Sequence, residues 1–274
     1  MSNLWEVYAI KYADRNGRTR RESFLFDDDH AGPHPMDYFV WLLRNGDQHI
    51  LVDTGYDHAE AKRRDRPILR DPAESLAVAG LSAEQIETVI ITHLHYDHAG
   101  GLDRYPRAQF HLQAAEMAFA TGPCMCDPTL QMPYTADHVC EMVQHLYSGR
   151  VIFHEGSAEI APGVRVHAIG GHARGLMAVQ VMTPLGPLCL ASDAAHYYEN
   201  YLLRKPFPIV VDVEDMVAGF DRIQALANGW QRVVPGHDPL VTRLFPKAFN
   251  SDIAWRLDVE PINHLDPLAP TSSR

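Results

Sequence analysis

The segment that decides the fold reads Thr92-His93-Leu94-His95-Tyr96-Asp97-His98-Ala99-Gly100-Gly101. It follows residues 87–92 (ETVIIT), whose β-branched side chains predict a buried strand. Residues two apart in an extended segment point the same way, so His93 and His95 can present imidazoles to one metal ion. The chain then turns, which allows Asp97 and His98 to face a second metal ion nearby. Imidazole nitrogens and carboxylate oxygens are ligands that zinc accepts.

Three further candidate ligands also come directly after predicted strands. His172 follows a strand at 164–169 and a Gly-Gly pair, and glycine permits close backbone approach to a site. Asp193 ends an apolar strand at 188–192, and its two oxygens could bridge two cations. His237 follows a strand at 232–235. One such residue alone is more often structural, but together with the first motif they predict a shared metal centre.

The remaining pattern predicts two sheets packed face to face with helices outside. We expect strands at 4–11, 49–53 and 178–182; the apolar run at 37–44 (DYFVWLLR) is short for a helix, and the turn at 45–47 suggests that it pairs with 49–53 as a hairpin. Helices are predicted at 72–80 and 213–228, a capped turn at 82–85, and a mostly helical region at 112–148, broken by a Gly/Pro/Cys-rich stretch. We expect one domain over 1–260 and a loose tail over 261–274.

Composition and charge limit the classes of function and partner that we expect. The 274 residues carry a net charge of −11, which disfavours nucleic acid as a partner. No apolar run approaches the ~18 residues of a membrane span, and the N-terminus does not resemble a secretory signal, so we expect a cytoplasmic protein without membrane contact. Cys124 and Cys126 form a C-x-C pair, a weak metal or redox signal that we interpret as free thiols.

Taken in chain order, these candidate ligands resemble the metal-binding motifs of the metallo-β-lactamase superfamily. The resemblance extends from Asp53 to His237. The resemblance implies an αββα sandwich of mixed sheets and two zinc ions, although iron, manganese or cobalt stay open. It assigns His93, His95 and His172 to one metal, assigns Asp97, His98 and His237 to the other, and places Asp193 between them. It also implies that Asp53 steadies a ligand histidine.

Within that superfamily, His95 and the Tyr96–Gly101 run are most similar to the N-acyl-homoserine lactonase branch. The resemblance implies hydrolysis of a small lactone in quorum quenching. That branch usually has a tyrosine three residues after the bridging aspartate, where its hydroxyl touches substrate. Here His196 occupies that position and Tyr197 follows, so either residue could supply the contact.

A water between two cations loses a proton near neutral pH, so we expect it to attack the carbonyl carbon of an ester. Asp97 or Asp193 would relay a proton. Substrate walls are expected from residues 36–41, 121–134 and 197–207. Alternatives left open are a hydrolase of other esters, thioesters, amides, β-lactams or phosphodiesters, an iron oxidoreductase, a non-catalytic binding protein and a nucleic-acid enzyme. The oligomeric state is also open, with a homodimer as one option.

Overall fold

Two β-sheets form the centre of the computed structural model, which describes residues 3–263. The larger sheet contains seven strands: β1 (Glu6–Arg15), β2 (Met36–Asn45), β3 (Gln48–Val52), β4 (Thr88–Ile90), β5 (Gln109–Gln113), β6 (Val151–His154) and β12 (Ala254–Arg256). The smaller contains five: β7 (Ser157–Ala161), β8 (Val164–Ala168), β9 (Met177–Thr183), β10 (Gly186–Ser192) and β11 (Val233–Pro235).

Both sheets are mixed. The larger follows the order β12-β1-β2-β3-β4-β5-β6, with antiparallel pairing from β12 to β3 and parallel pairing from β3 to β6. The smaller follows the order β11-β10-β9-β8-β7, and only β10 and β11 pair in parallel. The carboxyl ends of β3, β4 and β5 therefore lie along the same edge of the larger sheet.

Strand β2 shows why the apolar run at 37–44 gave no clear alternation. Phe39 and Trp41 face the core between the sheets, whereas Tyr38 and Val40 belong to the core on the opposite face. A strand buried on both faces has no polar side, so its sequence lacks the period of two. The structure resolves this run as a strand.

Eight α-helices surround the sheets within residues 3–263: α1 (His58–Arg63), α2 (Pro72–Ser75), α3 (Ala114–Ala120), α4 (Pro128–Gln131), α5 (Ala136–Tyr147), α6 (Tyr198–Leu202), α7 (Val213–Leu226) and α8 (Val241–Leu244). Met117 of α3 and Met142 of α5 join the core on the outer face of the larger sheet. Phe220 of α7 packs with the residues of the smaller sheet. The architecture is thus the αββα sandwich that the sequence predicted. None of these helices is long and apolar enough to cross a membrane.

Several element predictions need correction. The region 112–148 begins as strand β5, and helix α3 starts only at Ala114. The predicted helix at 72–80 is a short α2 continued by a 3₁₀ turn that ends at Gly80. The capping box at 82–85 is confirmed. The predicted tail begins with contacts to the body, because Ile262 N donates to Leu244 O; residues 264–274 lie outside the described residues.

Candidate metal centre

The seven predicted ligands converge where strand ends of the two sheets meet. The segment from His93 to His98 follows β4, and His172 follows β8. Asp193 comes directly after β10, and His237 lies two residues beyond β11. All seven are buried, with at most 9% of any residue exposed. Rigid strands therefore hold loop side chains that are far apart in sequence within one small volume.

The ligand atoms form two groups of three joined by one carboxylate. Candidate donor atoms of His93, His95 and His172 all lie within 4.8 Å of one another, and those of Asp97, His98 and His237 do the same. Asp193 lies between the groups: its Oδ2 is 3.1 Å from His172 Nε2, and its Oδ1 is 3.0 Å from His237 Nε2. This is the division that the sequence resemblance implied.

Unpaired ring nitrogens indicate that the groups suit a metal. Within the described residues, Nε2 of His93 and Nε2 of His98 are buried and have no hydrogen-bond partner. Leaving a polar atom buried and unsatisfied costs about 1–3 kcal/mol. A divalent cation bound by imidazoles and carboxylates would satisfy these atoms, and the donor set fits zinc.

Asp53 orients the ring of His98 through a contact with Nδ1. Its Oδ2 lies 2.7 Å from His98 Nδ1, and its carboxylate accepts hydrogen bonds from Thr92 N at 2.7 Å and Thr92 Oγ1 at 2.8 Å. Its φ of 60° is in the left-handed region, which few residues other than glycine adopt. This contact leaves His98 Nε2 free to face the site.

Backbone carbonyls orient two more ligand rings. His172 Nδ1 lies 2.7 Å from Ile209 O, and His237 Nδ1 lies 2.9 Å from Asp37 O. A ring nitrogen that donates to a carbonyl leaves its other nitrogen unprotonated in the neutral imidazole. Both Nε2 atoms can therefore act as metal ligands.

Burial and charge set the protonation states in the centre. Burial, with nearby His98, lowers the pKa of His93 well below its usual value. Burial, with nearby His172, does the same to the pKa of His95. Burial also opposes protonation of His98, but the carboxylates of Asp193 and Asp53 outweigh it and raise the pKa of His98 well above normal. The carboxylates concentrate negative potential that would attract cations.

Comparison with known proteins gives the family. The model of the metallo-beta-lactamase superfamily matches residues 35–239. This chain belongs to the metallo-beta-lactamase superfamily. The N-acyl homoserine lactonase of a Bacillus species is 27% identical over 210 residues, covering 70% of this chain and 74% of the relative. The N-acyl homoserine lactonase AttM of Rhizobium johnstonii is 25% identical over 260 residues, covering 89% and 92%.

The solved structures support the superfamily fold. A crystal structure of a quorum-quenching N-acyl homoserine lactone lactonase superposes with a TM-score of 0.70 at 21% identity. The match covers 86% of this chain and 92% of the other. Similarity at this level shows the shared architecture.

The neighbouring residues His196 and Tyr197 line two different cavities of this protein. His196 lines the cavity at the metal centre; its Nε2 lies 2.9 Å from Asp193 Oδ2, and its ring stacks on Phe207 at 3.7 Å. Tyr197 is fully buried and packs on His34 at 4.1 Å, where it lines a neighbouring cavity. The geometry thus brings His196 to the ligands and sets Tyr197 behind it.

The predicted substrate walls are partly core. Met36 and Tyr38 line the metal-centre cavity, whereas Phe39 and Trp41 lie between the sheets. An adjoining cavity shares His95, Pro133, His172 and Ile209 with the first and is lined by Leu130, Met132, Tyr134, Pro208, Val210 and Val211. The stretch around α4 therefore forms an apolar wall beside the ligands.

Glu116 is a buried residue of the site that its sequence context did not predict. This fully buried carboxylate accepts hydrogen bonds from Leu94 N at 2.9 Å, Gly175 N at 2.8 Å and Tyr134 Oη at 3.0 Å. It links the two ligand loops, because Leu94 separates His93 from His95 and Gly175 follows His172. Burial raises the pKa of Glu116, although the same hydrogen bonds oppose the rise. A glutamate in the first turn of a helix looked ordinary in the sequence.

Proposed function

We propose that this chain is a dinuclear metal-dependent hydrolase that opens lactone rings. The observation that carries the proposal is the pair of ligand groups joined by Asp193, whose two oxygens face opposite groups. Relatives named N-acyl homoserine lactonases cover most of the chain and favour a ring ester as substrate. A cytoplasmic location, the identity of the metal as zinc and a homodimer stay predictions.

Each ligand would have a defined role. His93, His95 and His172 would hold one ion, and Asp97, His98 and His237 the other, with Asp193 between. Two bound divalent ions would supply a water of lowered pKa and an electrophile for the carbonyl oxygen. The surrounding residues would then orient the ester and exclude bulk water from the cavity.

Proton transfer falls to the two carboxylates. Asp97 keeps 11% of its side chain exposed and lines the cavity, so it can receive a proton from the attacking water and pass it on. Asp193 contacts His172 and His196, which fix its carboxylate between the ligand groups. We propose Asp97 as the main relay and Asp193 as the alternative.

His196 is the better placed of the two candidate substrate contacts. Its Nδ1 is buried and makes no hydrogen bond with the residues that the structure describes. Because Nε2 donates to Asp193 Oδ2, the neutral ring offers Nδ1 as an acceptor, and the hydroxyl formed from the ring oxygen of an opened lactone could donate to it. Tyr197 would act from behind, by packing on His34.

Turnover of matched substrates tests the proposal. Enzyme loaded with zinc should open a lactone faster than it cleaves a thioester or a phosphodiester of similar size. His196→Ala should lose more lactonase activity than Tyr197→Phe, and His58→Ala, an exposed histidine at the start of α1, should keep it. Preference for the thioester or phosphodiester would overturn the lactone assignment.

A further inference from the structure

Three arginines line the cavity at the metal centre, and the proposed chemistry uses none of them. Arg15 ends β1, Arg18 lies in the loop that follows, and Arg66 lies three residues after α1. They share this cavity with Asp97, Asp193 and the ligand histidines. A concentration of guanidinium groups is unexpected in a chain whose net charge is −11.

Arg18 is a buried cation without a charged partner. Only 7% of the residue is exposed. Its Nη2 donates to Glu22 O at 2.7 Å and to Ser23 Oγ at 3.4 Å, both neutral acceptors. Its Nε is buried and has no hydrogen-bond partner, and Arg18 forms no salt bridge, within the part of the chain that the structure describes.

Arg66 is the second unpaired cation. Its guanidinium lies 4.9 Å from the ring centroid of Tyr96 and donates to the Tyr96 hydroxyl, which is 3.3 Å from Tyr38 Oη. The charge of Asp97 acts on Arg66, but the two form no salt bridge within residues 3–263. Arg15 differs, because its Nη2 pairs with Glu22 Oε1 at 3.3 Å.

An uncompensated cation is costly where water is scarce. Removing an ion from water costs several kcal/mol, and an opposite charge with hydrogen bonds is needed to offset that cost. Hydrogen bonds from Arg18 to its own loop explain its position but leave Nε unsatisfied. Nearby carboxylates do not pair with it, because Asp97 and Asp193 face the histidines.

We propose that the natural substrate is a lactone that carries a carboxylate, and that Arg18 and Arg66 bind this carboxylate. The inference rests on the proposed function and narrows its substrate class. Guanidinium groups bind carboxylates through strong, directional hydrogen bonds. The two adjoining cavities measure about 50 and 80 Å³, and a third cavity of about 550 Å³ shares Met132 and Tyr134 with the second. N-acyl homoserine lactones, by contrast, carry no charge.

The reaction is a simple hydrolysis. Water adds to the ring carbonyl, the bond between the acyl carbon and the ring oxygen breaks, and the ring oxygen leaves as a hydroxyl with one proton of the water. The new carboxylic acid releases the other proton to solution. The product is a hydroxy dicarboxylate. Its original carboxylate remains on the arginines, and the new one forms at the metal centre.

A charged and neutral pair of lactones tests the inference. The probes are 5-oxotetrahydrofuran-2-carboxylate and its carboxamide, assayed with the full-length enzyme loaded with zinc. Wild type should favour the carboxylate in kcat/KM. Arg66→Gln should lower the carboxylate-to-carboxamide ratio by about 10–100-fold, because a hydrogen bond to a charged group contributes about 1.5–3 kcal/mol. Arg66→Lys should keep part of the preference for the carboxylate, since the positive charge remains.

Arg70→Gln is the matched control. Arg70 is exposed and lies outside the cavity, so this variant should keep the wild-type ratio. A wild-type ratio near one, or a ratio that Arg66→Gln leaves unchanged, would overturn the inference while lactone opening stands. Because Arg18→Gln could disturb its loop, the half-buried Arg66 carries the decisive comparison.

Calorimetric binding of the product 2-hydroxyglutarate gives a readout that does not depend on turnover. The dissociation constant should rise about 10–100-fold in Arg66→Gln and stay unchanged in Arg70→Gln. If wild type opens neither lactone yet binds the dicarboxylate through Arg66, the proposed function fails and the anion site stands. Equal binding by wild type and Arg66→Gln would reject the anion site.

Discussion

Asp53 Oδ2 lies 2.7 Å from His98 Nδ1, and this contact joins the turn after β3 to the candidate metal centre. The same carboxylate accepts two hydrogen bonds from Thr92, the residue before the ligand motif. Asp53 and His98 are both buried. Asp53 thus fixes the ring of His98 and the start of the ligand loop together.

Replacing Asp53 should weaken metal binding. In Asp53→Asn the amide cannot match the charge of the carboxylate, so we expect the affinity of one of the two ions to fall by about 10–100-fold. Competition with a chromophoric chelator measures it. Asp47→Asn, in an exposed hairpin turn, is the control. Equal affinity in the Asp53 variant and wild type would refute the role of Asp53.

Glu116 should stabilise the ligand loops. Glu116→Ala leaves the amides of Leu94 and Gly175 without their acceptor, so the free energy of unfolding should fall by about 3 kcal/mol or more. Glu116→Gln should cost less, since one side-chain oxygen remains. Urea titration measures both, with the exposed Glu155→Gln as control. Unchanged stability in the alanine variant would contradict this role.

Gly171 should tolerate no side chain. Its φ is +83°, and an added Cβ would lie 2.6 Å from the backbone of Met216 at the start of α7. Gly149 has a φ of +74° but open space around it, so Gly149→Ala isolates the cost of the backbone conformation, about 1–2 kcal/mol. Thermal unfolding of Gly171→Ala should show a clearly larger loss. Equal losses would mean that the clash is relieved.

Acid stability should depend on Glu60. Burial opposes its ionisation, but hydrogen bonds from Arg63, Arg64 and Thr135 outweigh burial and lower the pKa of Glu60 from 4.5 to about 2. Because the folded pKa is lower, the ionised group stabilises the fold fully above pH 4.5, and this contribution disappears as pH falls through about 2. Urea titrations from pH 7 to pH 2 should therefore show the advantage of wild type over Glu60→Gln shrinking over that window. A constant difference would contradict the assignment.

The convergence of the candidate metal ligands could be predicted because each follows a recognisable strand; their role as ligands stays a prediction. His172, Asp193 and His237 all come within a few residues of apolar runs, and the spacing of His93 and His95 is a local signal. Strand β5 was missed because its short sequence, QFHLQ, continues directly into helix α3 without a turn residue.

Long-range contacts could not be predicted in the same way. Glu116 supports Leu94 and Gly175 from 22 and 59 residues away, and nothing in its own neighbourhood indicates this. Arg18 and Arg66 come from separate loops and meet the site only in three dimensions. Such residues are identified by what they touch and leave unsatisfied, which the sequence alone does not show.

Metal content tests the central claim most directly. Purified enzyme dialysed against zinc and analysed by inductively coupled plasma mass spectrometry should contain two ions per chain. His172→Ala and His237→Ala belong to opposite ligand groups, so each variant should retain about one ion at the same free zinc concentration. Fewer than two ions in wild type, or two ions in both variants, would contradict the dinuclear centre.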